Sequence, residues 1–148
     1  MKAKRISALI AFSLLTLSLV AFAQQAATVG ELLDKGGKKL TKDELAKLVT
    51  GATIAGLAQS DPNYRSENTY KDDGSMSGHA FRVSGGTYTT GVFGTWSLND
   101  QGQLCVVFKT NWGWGSQVCN FYFSLGTAYY VAPTDDRMAQ LVVREVKR

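Results

Sequence analysis

The sequence predicts a mainly β protein of the α+β type: an antiparallel meander that forms a curled sheet or small barrel, with one or two short N-terminal helices and one disulfide hairpin. Three observations predict it. From Thr53 onward, extended runs alternate with short turn sequences. Before residue 50, two threonines begin capping motifs. Finally, Cys105 and Cys119 are the only cysteines, and both lie in extended runs.

The first 23 residues have the pattern of an export signal. Three basic residues precede the apolar run Ile6–Phe22, which ends in Ala21-Phe22-Ala23, a small-x-small cleavage pattern. An apolar run of about 17 residues is at the lower limit for crossing a bilayer. We therefore predict a signal peptide at 1–23, a single mature domain at 24–148 in the periplasm or outside the cell, and no stable membrane insertion after cleavage.

Loss of the signal leaves a mature net charge of about +1, because Lys2, Lys4 and Arg5 leave with it. A nearly neutral domain lacks the basic surface that nucleic-acid binding requires, so no nucleic-acid partner is predicted. The basic chain end, which includes Arg144, is interpreted as solvated surface.

The helical part spans 28–50. Thr28-Val29-Gly30-Glu31 and Thr41-Lys42-Asp43-Glu44 both match the capping box, in which a threonine oxygen accepts an amide and the glutamate three residues later reaches back. Apolar residues at helical spacing follow the second capping box, and Gly51 ends this second helix. So short an amphipathic helix must pack on the sheet to be stable.

The β meander spans 53–146. Because its connections are short, neighbouring strands are expected to be antiparallel. The extended runs lie at 53–57, 65–71, 76–83, 87–97, 103–109, 117–124, 127–132 and 139–146.

A hairpin folded near Trp112 places Cys105 opposite Cys119, within reach of a disulfide. Two cysteines in an exported chain favour an intramolecular bridge, and a loop of about 15 residues predicts about 3 kcal/mol of stabilisation. The spacing is not that of a redox pair, so we interpret the bridge as structural.

The tip of this hairpin is the predicted binding loop, Asn111, Trp112 and Trp114. Two interpretations stay open: the tryptophans form an exposed aromatic platform for a partner, or they fold back and fill the end of the barrel. A ligand carrier would instead need an apolar cavity, which we expect to be lined by Trp96, Leu98, Phe121 and Phe123.

No catalytic residue, metal site or cofactor is predicted. His79 is the only histidine, and we place it on the surface or rim of a strand. Asp72-Asp73 and Asp135-Asp136 are interpreted as turn residues rather than as an acid–base pair.

The order of motifs across residues 40–132 resembles a family of small exported proteobacterial domains of unknown function. The motifs are a Leu-Thr-x-x-Glu-Leu helix, a Gly-Thr-Trp strand and paired cysteines, here Leu40 to Leu45, Gly94-Thr95-Trp96, Cys105 and Cys119. The resemblance implies a periplasmic β-domain with no known activity.

Two further families share fragments with this chain. Gly94-x-Trp96 is similar to the Gly-x-Trp of lipocalin-like barrels, where it opens the first strand, and Gly94-x-Trp96-x-Leu98 followed by Cys105 resembles small periplasmic metalloprotease inhibitors of β-barrel form. The function predicted is therefore a non-enzymatic protein-binding or inhibitor-like module. The alternative is a lipocalin-like barrel for a small apolar ligand.

Overall fold

A computed structural model of the protein describes residues 26–59, 61–84, 89–109 and 116–148, so the predicted signal peptide lies outside the described residues. These ranges contain two helices and nine strands: α1 Val29–Asp34, β1 Lys38–Lys39, α2 Lys42–Val49, β2 Thr53–Leu57, β3 Tyr64–Tyr70, β4 Ser75–Arg82, β5 Thr89–Leu98, β6 Leu104–Phe108, β7 Gln117–Leu125, β8 Ala128–Ala132 and β9 Val142–Lys147. The eight predicted strands correspond to β2–β9. Their boundaries differ by no more than three residues.

The strands β2–β9 form a closed antiparallel barrel. Each strand pairs with the next along the chain, and β9 returns to β2, with Ile54 opposite Val146. Of the two predicted architectures, curled sheet or small barrel, the barrel is therefore the correct one. The remaining strand, β1, lies outside the ring and pairs with the end of β7, where Lys39 faces Phe123.

The interior of the barrel holds the larger apolar core. Successive side chains of a strand point to opposite faces, so alternate residues of each strand face inward. Inward residues of the barrel pack with residues of α2 into one cluster: Leu40, Leu45, Leu48, Val49, Ile54, Tyr70, Met76, Ala80, Val92, Leu104, Val106, Tyr122 and Val131.

Helix α2 closes one end of the barrel. Its predicted capping box is confirmed: Thr41 Oγ1 accepts the Glu44 amide at 3.2 Å, and a Glu44 carboxylate oxygen accepts the Thr41 amide at 2.9 Å. Leu45 is fully buried, and it belongs to the interior cluster. The helix is thereby fixed over the end of the barrel where β2 begins and β9 finishes.

Helix α1 covers part of the outer face. Its capping differs from the prediction, because Thr28 accepts the Glu31 amide while the Glu31 carboxylate accepts the amide of Ala27 instead of Thr28. Val29 and Leu32 are completely buried against the outer side of β7 and β8, in a second cluster that includes Phe123. The two clusters thus lie on opposite faces of the same strands.

Candidate functional site

The barrel encloses a cavity of about 430 Å³. Its walls extend from Ile54 and Tyr70, near α2, to Gln59, Phe108 and Ser116 at the opposite end. A volume of this size lies within the range of small-molecule sites in proteins. The wall is formed by apolar side chains together with a few polar ones, and the polar ones include Asn68, Asn120, Tyr122 and Arg144.

Arg144 places a positive charge at the cavity. It lies on β9 and is partly buried, and its Nη1 donates to the backbone oxygens of Leu57 and Val143, each at 3.0 Å. Burial lowers the pKa of Arg144 from its ordinary value, although a guanidinium remains protonated in proteins. In the described part of the chain, none of the ion pairs includes Arg144.

Gly56 provides the space for this guanidinium. The β2–β9 register ends with Ala55 opposite Glu145, and the next residue of β2, Gly56, lies beside the side chain of Arg144. A Cβ at Gly56 would meet Arg144 Nη1 and would lie 2.7 Å from the oxygen of Val143, closer than real Cβ atoms approach. An arginine can therefore point inward on β9 only because the facing position on β2 has no side chain.

Two buried tyrosines, Tyr70 and Tyr122, also line this cavity. Burial raises the pKa of Tyr122 to about 12, while the nearby Arg144, which donates a hydrogen bond to it, opposes the rise. Burial also raises the pKa of Tyr70. Both phenols are consequently neutral near pH 7, so neither supplies a negative charge to balance Arg144.

Two asparagines carry buried oxygens that have no hydrogen-bond partner among the described residues. These atoms are Oδ1 of Asn68 and Oδ1 of Asn120. Asn68 is only 7% exposed, and it faces Gly78 on β4, where a Cβ would lie 2.5 Å from its Oδ1. Most buried polar atoms in native proteins have a hydrogen-bond partner, so these two oxygens, which have almost no accessible surface, are exceptions in the cavity wall.

The four residues predicted to line the cavity do not belong to its wall. Trp96 and Leu98 pack against the interior cluster at the end closed by α2. There the Trp96 indole Nε1 donates to the oxygen of Lys71 at 2.8 Å, and its ring stands edge-on to Tyr70. Trp96 therefore helps to fill the closed end.

Phe121 and Phe123 lie on the opposite side of the sheet, in the cluster under α1. The pairing explains this placement: Cys105 faces Cys119 and Val106 faces Val118, so the inward residues of β7 are Val118, Asn120 and Tyr122. Phenylalanines one position away from these must face outward.

The predicted disulfide is confirmed. Cys105 and Cys119 are bonded, directly opposite each other on β6 and β7, with Cα atoms 4.0 Å apart. Cys105 is 2% exposed, which agrees with a structural bridge. The bridge joins the two strands that carry the predicted binding loop.

The predicted binding loop itself, Asn111, Trp112 and Trp114, lies outside the described residues. The nearest described residues on the cavity wall, Phe108 and Ser116, are joined by a backbone hydrogen bond of 3.2 Å. The two interpretations of the tryptophans stay predictions.

His79 is exposed on β4, as predicted for a strand surface, and faces Glu67 across the β3–β4 pair. Glu67 is itself paired with Lys147. His79 does not line the cavity. The described ranges contain no group of three or more residues suited to hold a metal ion.

Arg144 is the principal residue that the sequence analysis missed. It was assigned to solvated surface, and the structure corrects this assignment by placing it inside the barrel. The alternation Val142, Arg144, Val146 was the available signal, because it puts the arginine on the same face as two apolar residues.

Fold and site together define a closed eight-stranded antiparallel barrel with a partly polar internal cavity. Comparison with protein-family models, curated proteins and solved structures finds no match to this chain. Neither helix of the described chain has the length and apolar character needed to span a membrane.

Proposed function

We propose that the protein is a non-enzymatic binder of a small, partly apolar molecule, which it holds inside the barrel. The observation that carries the proposal is the cavity of about 430 Å³, whose apolar wall is interrupted by a few convergent polar groups. Apolar surface supplies most of the affinity in such sites, and a small number of polar groups orients the ligand.

The residues of the cavity wall favour binding of a ligand. Val92 and Val106 are buried and face the space, so a ligand there would make van der Waals contacts that an empty cavity lacks and would withdraw its own apolar surface from water. The unsatisfied asparagine oxygens and Arg144 would then gain partners on binding. Both contributions favour the occupied barrel.

We further propose that the protein acts outside the cytoplasm. The disulfide supports this location, because structural disulfides persist in oxidising compartments. The signal pattern at 1–23 points to the same location. Membership of the exported family that the motifs resemble stays a prediction.

Binding of a neutral fluorescent probe tests the proposal. N-phenyl-1-naphthylamine emits strongly in apolar surroundings, so its emission should rise and saturate when the mature protein is titrated into it. Val106→Phe should abolish the rise, since Val106 is 7% exposed and lines the cavity. Val107→Phe is the matched control, because Val107 neighbours it on β6 but does not line the cavity.

Thermal melting must show that both variants fold, and Val92→Phe provides a second filled cavity if Val106→Phe does not fold. If the parent protein gives no saturable rise, the proposed function is wrong. It is equally wrong if the folded Val106→Phe and Val92→Phe proteins bind the probe as well as the parent does.

A further inference from the structure

We propose that the ligand is a small organic acid with an apolar body, whose carboxylate pairs with Arg144 and which also carries a hydroxyl or amide N–H. This inference rests on the proposed function and specifies its ligand. It combines three features of the cavity wall: an unpaired cation, a glycine that makes room for it, and two acceptor oxygens without donors.

The charge balance of the cavity favours an anion. Arg144 is the one charged residue among the described residues that line it. The neighbouring carboxylates have other partners, because Glu145 pairs with Arg65 and Glu67 pairs with Lys147. A partly buried cation is less well hydrated than one in open solvent, and a ligand carboxylate would supply the counter-charge that the wall lacks.

The guanidinium is held in place independently of any ligand. Its Nη1 donates to two backbone oxygens, of Leu57 and Val143, and the space above Gly56 receives it. A guanidinium has five N–H donors in a planar fork, so donors remain after these bonds and the bond to Tyr122. A fork fixed in this way matches the geometry of a carboxylate.

The asparagine oxygens add a second requirement. Oδ1 of Asn68 and Oδ1 of Asn120 can only accept hydrogen bonds, and a carboxylate cannot donate to them. Both oxygens are buried, so a hydroxyl or amide N–H elsewhere on the same molecule would satisfy them once the side-chain amides turn toward the cavity. The wall therefore fits a hydroxylated or amide-bearing acid better than a simple fatty acid.

Displacement of N-phenyl-1-naphthylamine by three matched compounds, at pH 7.5, tests the inference. Octanol combines the apolar body with an uncharged hydroxyl, octanoic acid has the carboxylate in place of that hydroxyl, and 3-hydroxyoctanoic acid carries both groups. A hydrogen bond to a charged group contributes about 1.5–3 kcal/mol, so octanoic acid should displace the probe at roughly one tenth, or less, of the octanol concentration. The hydroxy acid should be better by a further factor of about two to ten.

Variants assign these preferences to residues. In Arg144→Met, octanoic acid and octanol should displace the probe at similar concentrations. Arg144→Lys should keep part of the preference for the acid over the alcohol, because it keeps a cation. Arg65→Met is the matched control, since Arg65 lies on the adjoining surface, paired with Glu145, and does not line the cavity. Asn68→Leu combined with Asn120→Leu should remove the advantage of the hydroxy acid.

The failure of this inference differs from failure of the proposed function. If the neutral probe binds but octanoic acid has no advantage over octanol, the acid is the wrong ligand class while the binding function stands. An advantage that survives in Arg144→Met overturns the role of Arg144. If Arg144→Met does not fold, two other results decide the role of Arg144: whether the parent prefers octanoic acid over octanol, and whether Arg144→Lys keeps part of that preference.

Discussion

Gly56 lies against the guanidinium of Arg144, and the absence of a side chain on β2 is what allows a charged side chain to enter the barrel from β9. The same arrangement recurs across the β3–β4 pair, where Gly78 leaves room for Asn68. In both cases a glycine in mid-strand faces the polar residue of the cavity wall.

Substitution Gly56→Ala should displace the guanidinium. The added Cβ would meet Arg144 Nη1 and the oxygen of Val143, so we expect a loss of about 1–3 kcal/mol in the free energy of unfolding. Urea denaturation measures it. Gly91→Ala on β5 is the control, because its Cβ would meet only the exposed ring of Phe93. Equal stability of Gly56→Ala and the parent would contradict the packing described.

Replacement of Asn68 by leucine should stabilise the folded protein. Asn68 is 7% exposed and its Oδ1 has no partner among the described residues, and an unsatisfied buried acceptor costs about 1–3 kcal/mol. We therefore expect Asn68→Leu to melt at a higher temperature than the parent. Asn63→Leu should melt slightly lower, since Asn63 is exposed and its side chain donates to Asp61. A lower melting temperature for Asn68→Leu would contradict the cost assigned to its unpaired oxygen.

Removal of the disulfide should destabilise the barrel by about 3 kcal/mol, because the bridge joins two residues that are 14 positions apart and so closes a loop in the unfolded chain. The comparison is between the parent and a Cys105→Ala/Cys119→Ala protein in urea, each with and without dithiothreitol. Reductant should destabilise the parent and leave the variant unchanged. Parent and variant of equal stability under oxidising conditions would exclude a stabilising role.

Acid stability should depend on Glu44. The Lys38 ammonium, and then the amide of Thr41, lower the pKa of Glu44 from 4.5 to about 2. A carboxylate whose pKa is lowered on folding stabilises the protein above pH 4.5 and loses that contribution as the pH falls toward 2. The melting temperature of Glu44→Gln should therefore fall less than that of the parent across this interval.

Lys38→Met tests the stated cause, because it removes the principal partner of Glu44 while leaving the Thr41 hydrogen bonds in place. Its melting temperature should likewise depend less on pH than that of the parent. If parent, Glu44→Gln and Lys38→Met share one pH profile between pH 5 and pH 2, the ion pair makes no contribution to acid stability.

Local patterns in the sequence were sufficient to predict the strands and one register. Turn residues separate all eight barrel strands, and the hairpin geometry correctly placed Cys105 opposite Cys119. The capping box at Thr41 was equally readable, because its hydrogen bonds join residues three apart.

The inward face of β7 could not be predicted from its composition. Phe121, Tyr122 and Phe123 are consecutive, so the alternation between apolar and polar residues is absent. It is absent because both faces of this strand are covered: the barrel interior contacts one face and α1 the other. Only the pairing with β6 decides which residues point inward.

Closure of the ring was also hidden, because it depends on residues far apart in the chain. β9 pairs with β2, so Arg144 contacts Gly56 although the two residues lie near opposite ends of the barrel sequence. An arginine near the end of a chain is ordinarily a surface residue. The local alternation Val142, Arg144, Val146 indicates a shared face, but only the tertiary pairing of β9 with β2 makes that face the barrel interior.

Helix α2 has a kinetic consequence for a bound molecule. Under the proposed function, a ligand could not enter through the end of the barrel that the side chains of α2 fill. If one ligand occupies the cavity of about 430 Å³ at a time, a competitor can bind only after the first ligand has left. In a stopped-flow experiment the departure rate of the first ligand should then be independent of the concentration of its competitor.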